Sequence, residues 1–198
     1  MNELEASKVY NYLYSHAHDR GMYGAYPRRD SVFAEFIREH VVGGSYILDA
    51  GCGRGFLVRW LRDLGYSVLG TEIADCLFKP GGELFGMPAV QMYYSDLYKF
   101  GSNSFPVVIS NDVLEHLEDE VAVITAMAEL TRIAGEWLLI STGGTRASRC
   151  PFPKELGVAN LHSVVRPEEW WVELYSAHCS IHEKKEAAGS IFLFGAPV

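Results

Sequence analysis

The chain has no apolar run close to the roughly 20 residues that a bilayer-spanning helix needs. Its opening, MNELEASKVY, lacks the basic region and apolar stretch of a secretion signal. Both absences predict a soluble, cytoplasmic protein. Basic residues are also in deficit, with 17 Lys and Arg against 25 Asp and Glu, for a net charge of -8. Broad nucleic-acid binding needs the opposite balance, because phosphates are neutralised by lysine and arginine. Cysteines are few, at positions 52, 76, 150 and 179, and none form a CxxC pair. Reduced, mostly buried thiols are expected, not a disulfide framework. No repeat, low-complexity tract or long linker breaks the chain. Its 198 residues therefore read as a single domain, monomeric or homodimeric, large enough for a sizeable core.

Alternating strand and helix patterns fill that length. DSVFAEFIREHV carries Val32, Phe33, Phe36, Ile37 and Val41 on one helical face, with Asp30 or Ser31 as its N-cap. SYILDA reads as a buried strand, GFLVRWLRDLG as a helix closed by Gly65, and YSVLGTEI as a second strand. ADCLFKPGG is a short helix stopped at Pro80. PAVQMYYSDL predicts a third strand ending near Ser95, and FPVVISND a fourth. EDEVAVITAMAELTRIAG is the clearest helix, with Gly135 as its stop, and EWLLISTGG is a fifth strand. After an irregular segment comes a helix from Pro167, then two strands, HCSIHEKKE and GSIFLFGAP. Strands alternating with helices predict an α/β fold. The expected sheet is mostly parallel with helices on both faces, and the closing hairpin adds an antiparallel strand.

In such a sheet ligands bind beyond the carboxyl ends of the strands. Three glycines stand at that place in YILDAGCGRGFL: Gly51, Gly53 and Gly55, with Asp49 just before them. The second strand ends at Glu72, where an acid can take both hydroxyls of a ribose. The third ends at Asp96, in place to accept from an adenine amino group, and the fourth in SND. Polar groups at four successive strand tips point to a nucleoside cofactor. The turn lacks the GxGxxG spacing of a dinucleotide site, and an acid facing the ligand repels phosphate. It suits a cationic ammonium or sulfonium, which favours S-adenosylmethionine (SAM) over a nicotinamide.

ILDAGCGRG resembles the first motif of class I SAM-dependent methyltransferases, and NDVLEHLED resembles the segment after their fourth strand. The small-molecule group that includes ubiquinone-biosynthesis O-methyltransferases is the most similar in pattern. The resemblance implies a Rossmann-like, seven-stranded sheet with a reversed last strand. It implies that Asp49 orients the methionine amino group of SAM, with backbone from Ala50 and Gly51. Gly53 would let the chain pass close to the cofactor, Glu72 would hold the ribose, and Ile73 would pack on adenine. Asp96 and Leu97 would frame the adenine edge, and Asn111 would lie under the methionyl part. Arg29, or Arg28, would meet the methionine carboxylate.

Methyl transfer to an alcohol or phenol needs an aligned oxygen, exclusion of water and a base. His116 and His162 are the candidate catalytic bases. Asp112, Glu115 and His116 fall at i, i+3 and i+4, so they could share a helix face. The resemblance extends to small-RNA 2′-O-methyltransferases, whose similar segment can hold a divalent metal. No metal is the favoured reading here, and a metal-assisted RNA or protein methyltransferase is the alternative. The N-terminal segment 1–30 is expected to act as a lid, with Tyr12, Tyr14, His16, His18, Tyr23 and Tyr26 gripping substrate. The loop 143–165 is expected to complete the acceptor pocket, and one of Trp170 and Trp171 to reach its mouth. The expected activity is transfer of a methyl group from SAM to a small-molecule acceptor, most simply a hydroxyl of a metabolite or sugar, leaving S-adenosylhomocysteine. A non-catalytic module that only binds SAM or that product is the second alternative.

Overall fold

The computed structural model describes residues 2–16, 27–143 and 160–198. Seven strands form one sheet: β1 Tyr46–Ala50, β2 Ser67–Glu72, β3 Ala89–Gln91, β4 Phe105–Asn111, β5 Ala134–Thr142, β6 Cys179–Ala187 and β7 Ser190–Pro197. Their order is β3-β2-β1-β4-β5-β7-β6. The strands from β3 to β5 pair in parallel, while β7 runs antiparallel to both β5 and β6. The last strand is thus the reversed one, inserted between β5 and β6. The chain winds outward in opposite directions from β1 and β4, and this change of direction opens a crevice at their carboxyl ends.

Alternation along each strand separates two cores. On one face Ile47, Val107, Ile109, Leu139, Phe192 and Phe194 pack against α2 (Pro27–His40) and α3 (Phe56–Asp63). On the other, Leu48, Val108, Leu138, Ile140 and Leu193 pack against α4 (Glu120–Ile133) and α5 (Glu168–Ser176). Trp171 is buried in that second core and Trp170 packs on its edge, so neither tryptophan reaches the crevice. Among the described residues no helix is long and apolar enough to cross a membrane.

Three local expectations are corrected. Helix α2 begins at Pro27, a residue tolerated where a backbone N–H would have no partner. Asp30 therefore lies inside its first turn and bonds Asn111. Gly135 does not stop α4, because Ala134 already turns extended and the chain enters β5 directly, where Ala134 pairs with Phe105. The third strand ends at Gln91, after which residues Tyr94–Lys99 form a 3-10 turn. The cause is Tyr94, whose buried hydroxyl bonds the carbonyl of Ala50 (2.9 Å) and the hydroxyl of Ser110 (2.8 Å) and draws the chain under the sheet.

Candidate active site

The crevice holds a cavity of about 1200 Å³. Pockets for one drug-sized ligand run roughly 300–1,000 Å³, so this one lies above that range. Its floor is the turn between β1 and α3. Gly51 has φ +79° and its Cα faces Val113, where an added Cβ would stand 2.5 Å from a methyl carbon. Gly53 has φ +53° and passes 3.2 Å, at its absent Cβ, from the hydroxyl of Tyr14. Only glycine combines that backbone with such proximity.

Two buried acids flank the turn. Asp49 is 2% exposed, and its Oδ1 has no hydrogen-bond partner among the described residues. Burial, with the charges of Asp30 and Glu72 nearby, pushes its carboxyl up to about 8. Glu72 accepts from the N–H groups of Gly53 (3.0 Å), Ile73 (2.8 Å) and Ala74 (3.0 Å). Burial raises its pKa while these three bonds oppose the rise. Asp30 is raised to about 6, chiefly by burial. A lone buried acceptor such as Asp49 Oδ1 is costly unless a donor arrives, and an ammonium group is such a donor. The chain therefore fits the amino end of SAM at Asp49 and its ribose at Glu72.

Helix α1 (Glu3–His16) roofs the crevice. Glu3 accepts from the backbone and hydroxyl of Ser95, and Ser7 donates to the carbonyl of Ile73. Arg54, buried and paired with Glu83, donates to the carbonyl of Tyr14 at the helix end. Tyr10 and Tyr14 line the cavity, whereas Tyr12 stacks on His16 away from it. His18, Tyr23, Tyr26 and the loop 144–159 lie outside the described residues, as does the side chain of Arg28.

At the far end, Glu115, His116 and His162 meet. One ligand-type atom from each lies within 4.8 Å of the others. The expected helix face does not form: Asp112 takes φ +51° and residues Leu114–His116 make a 3-10 turn. Asp112 instead pairs with Arg29, and His162 supplies the third group. The Glu115 Oε1 accepts from Gly143 N–H (2.8 Å), and its Oε2 is buried without a partner among the described residues. Burial raises Glu115 to about 7, with Asp112 adding to the rise. His116 Nδ1 lies 3.1 Å from the carbonyl of Leu161. A carbonyl only accepts, so Nδ1 carries the proton and Nε2 keeps the lone pair. Burial lowers the pKa of His116, which favours the neutral ring. The rings of His116 and His162 stand 4.6 Å apart, edge to face, and the ring of Tyr10 lies 6.0 Å from that of His116, also edge to face.

Most predicted site residues thus come together: Arg29, Asp49, Gly51, Gly53, Glu72, Ile73, Asn111, His116 and His162 line one cavity. Three do not. Ala50 is wholly buried and spends its carbonyl on Tyr94. Asp96 pairs with Lys99 at 2.6 Å, and Leu97 packs in the core, both displaced by the 3-10 turn. Ser95 and Tyr93 line that part of the cavity in their place. Sequence reasoning missed Tyr10, Asp30 and Arg54, because nothing local distinguishes them from surface residues.

A family model described as a methyltransferase domain matches residues 48–139. The chain is 33% identical over 113 residues to a ubiquinone biosynthesis O-methyltransferase of Xanthomonas oryzae, covering 54% of this chain and 47% of that protein. A Xanthomonas axonopodis protein of the same name is 32% identical over 110 residues, covering 53% and 46%. The chain spans about half the length of the curated relatives it matches. Among solved structures it resembles 1,6-didemethyltoxoflavin-N1-methyltransferase of Burkholderia thailandensis, with a TM-score of 0.72 at 16% identity over 100% of this chain and 91% of that one. Magnesium protoporphyrin IX methyltransferase of Synechocystis, solved with bound SAM, gives 0.67 at 19% identity over 100% and 98%.

Proposed function

We propose that this chain, a class I SAM-dependent methyltransferase in fold and in its central domain, methylates a hydroxyl oxygen of a small-molecule acceptor. The observation that carries the oxygen assignment is the tautomer of His116. Its Nδ1–H is held by Leu161, which leaves Nε2 as the basic nitrogen of a ring that lines the cavity. SAM, when bound, supplies an electrophilic methyl group on a sulfonium sulfur. Asp49 binds and orients the ammonium end, Glu72 the ribose, and α1 excludes water from above. His116 takes the proton of the acceptor hydroxyl, and His162 packs beside it to fix the ring. The curated relatives' name, ubiquinone biosynthesis O-methyltransferase, supports an oxygen of a small molecule as acceptor. So does the cavity charge: nine carboxylate residues and two arginines line it, which opposes a phosphate-bearing acceptor.

A second reading shares the same atoms. Glu115, His116 and His162 would hold a divalent metal, with Glu115 Oε2 as the buried ligand atom lacking a partner. Such an ion would supply Lewis acidity, lowering the pKa of an acceptor hydroxyl.

The test combines acceptor screening with His116→Asn. The base reading expects turnover to fall by roughly 10²–10⁴ while SAM affinity holds. Turnover that survives chelation by EDTA favours the base alone; turnover lost to EDTA and restored by a divalent metal favours the second reading. Undiminished turnover in His116→Asn refutes both.

A further inference from the structure

We infer that Asp112 is a positioning residue: it holds Arg29 of α2 in place for the carboxylate end of the cofactor. This rests on the cofactor reading above. Asp112 is secured from several sides at the tips of β4 and β5. Its N–H donates to the Ser141 carbonyl (3.2 Å) and to Ser141 Oγ (3.0 Å). Its Oδ1 accepts from the hydroxyl of Ser190 (3.0 Å) and shares the single proton of Ser141 Oγ (3.1 Å) with Asn111 Oδ1 (2.8 Å), and its Oδ2 pairs with Arg29. Its φ of +51° is left-handed, a conformation that aspartate enters more readily than most residues and that these bonds hold in place here. Such over-determination marks a place where geometry matters to function.

The amino-acid end of SAM is a zwitterion, so its site needs an anion and a cation together. Asp49 is the anion. Arg29 and Arg54 are the arginines lining the cavity among the described residues; each pairs with a carboxylate, but the Arg54 side chain is 6% exposed and also tied to the carbonyl of Tyr14, whereas that of Arg29 is 27% exposed. Arg29 lies between the two ends of the cavity: its charge is felt by His116 on one side and by Asp30 on the other, and Asp30 is in turn felt by Asp49. A guanidinium presents five N–H donors in a rigid fork, so it can bond one carboxylate and orient toward another. A mobile arginine would lose considerable side-chain freedom on meeting a ligand, and Asp112 removes that freedom beforehand. A second tie runs beside it, from Asn111 Nδ2 to Asp30 Oδ1 (3.2 Å). Through Ser190, the reversed strand β7 also reaches the cofactor site.

Calorimetry with two ligands tests this. S-adenosylhomocysteine carries the amino-acid end; 5′-methylthioadenosine has the nucleoside and sulfur without it. Asp112→Asn keeps the shape and tolerates the left-handed backbone. Ser190→Ala loosens the same carboxylate by one bond, and melting curves check that both variants fold. Asp112→Asn should bind S-adenosylhomocysteine about tenfold or more weakly, as for loss of a charge-assisted hydrogen bond, and bind methylthioadenosine as wild type does. Arg29→Ala should show the same selective loss, and the double variant should lose no more than Arg29→Ala alone. Equal loss of both ligands, unchanged S-adenosylhomocysteine binding, or additive losses would overturn the inference. Failure of the wild type to bind either ligand would overturn the cofactor reading and this inference with it.

Discussion

Lowering the pH from 7 to 5 should weaken SAM binding about tenfold per pH unit, through Asp49 alone. Its carboxyl is raised to about 8 by burial and by the charges of Asp30 and Glu72, so in the free protein it is mostly protonated at pH 7. An ammonium group prefers the carboxylate, and binding must expel that proton. The expelled fraction at pH 7 is about 0.9 for a pKa near 8. Below that pH the apparent affinity then falls tenfold for each unit, about 1.4 kcal/mol. Calorimetry in buffers of different ionisation enthalpy reads the proton count as a slope. SAM and S-adenosylhomocysteine should give nearly one proton released. Methylthioadenosine, which has no ammonium, should give almost none. Asp49→Asn should abolish the slope for all three and weaken the first two. A zero slope with wild type and SAM, or an unchanged slope in Asp49→Asn, refutes the assignment of the ammonium to Asp49.

The ligand-free protein should lose stability as pH rises from about 4 to 8, because the native states of Asp49 (about 8) and Asp30 (about 6) hold protons that the unfolded chain releases near 3.8. Melting temperature against pH should show the decline, and Asp49→Asn should flatten its upper part. Glu72→Ala removes the acceptor of three backbone N–H groups and should cost on the order of 3 kcal/mol in denaturant unfolding, along with cofactor affinity. Gly51→Ala should cost about 1–3 kcal/mol from its positive φ and its clash with Val113. Combining it with Val113→Ala should recover the clash but not the backbone part; full recovery in thermal unfolding would contradict this.

Much of the site was legible because it is local. Strand β1, the glycine turn and α3 follow one another within the stretch from Tyr46 to Asp63, and apolar periodicity with glycine spacing marks each part. Asp49 and Glu72 were legible because the carboxyl tips of the strands in a parallel sheet adjoin the crevice. Asp96 was misplaced because a single distant partner decides its fate: Tyr94 reaches Ala50, 44 residues earlier, and bends the chain off the sheet edge. Arg29 was found by resemblance, but its partner Asp112, 83 residues away, was assigned to a helix face that does not exist. The tyrosines of the first segment could be counted but not aimed, since a helix's burial depends on what it lands on: Tyr10 meets His116 while Tyr12 meets His16.

By itself, the sequence determined the alternation of strands and helices, the closing hairpin, and the acids beside the glycine turn. These follow from periodicity and turn chemistry, which act over a few residues. Only the tertiary structure decided that Glu115, His116 and His162 converge, that α1 roofs the cavity, and that Ser190 and Ser141 clamp Asp112 onto Arg29. Those are meetings between charges and hydroxyls far apart in the chain, and their partners are chosen by packing, not by neighbours.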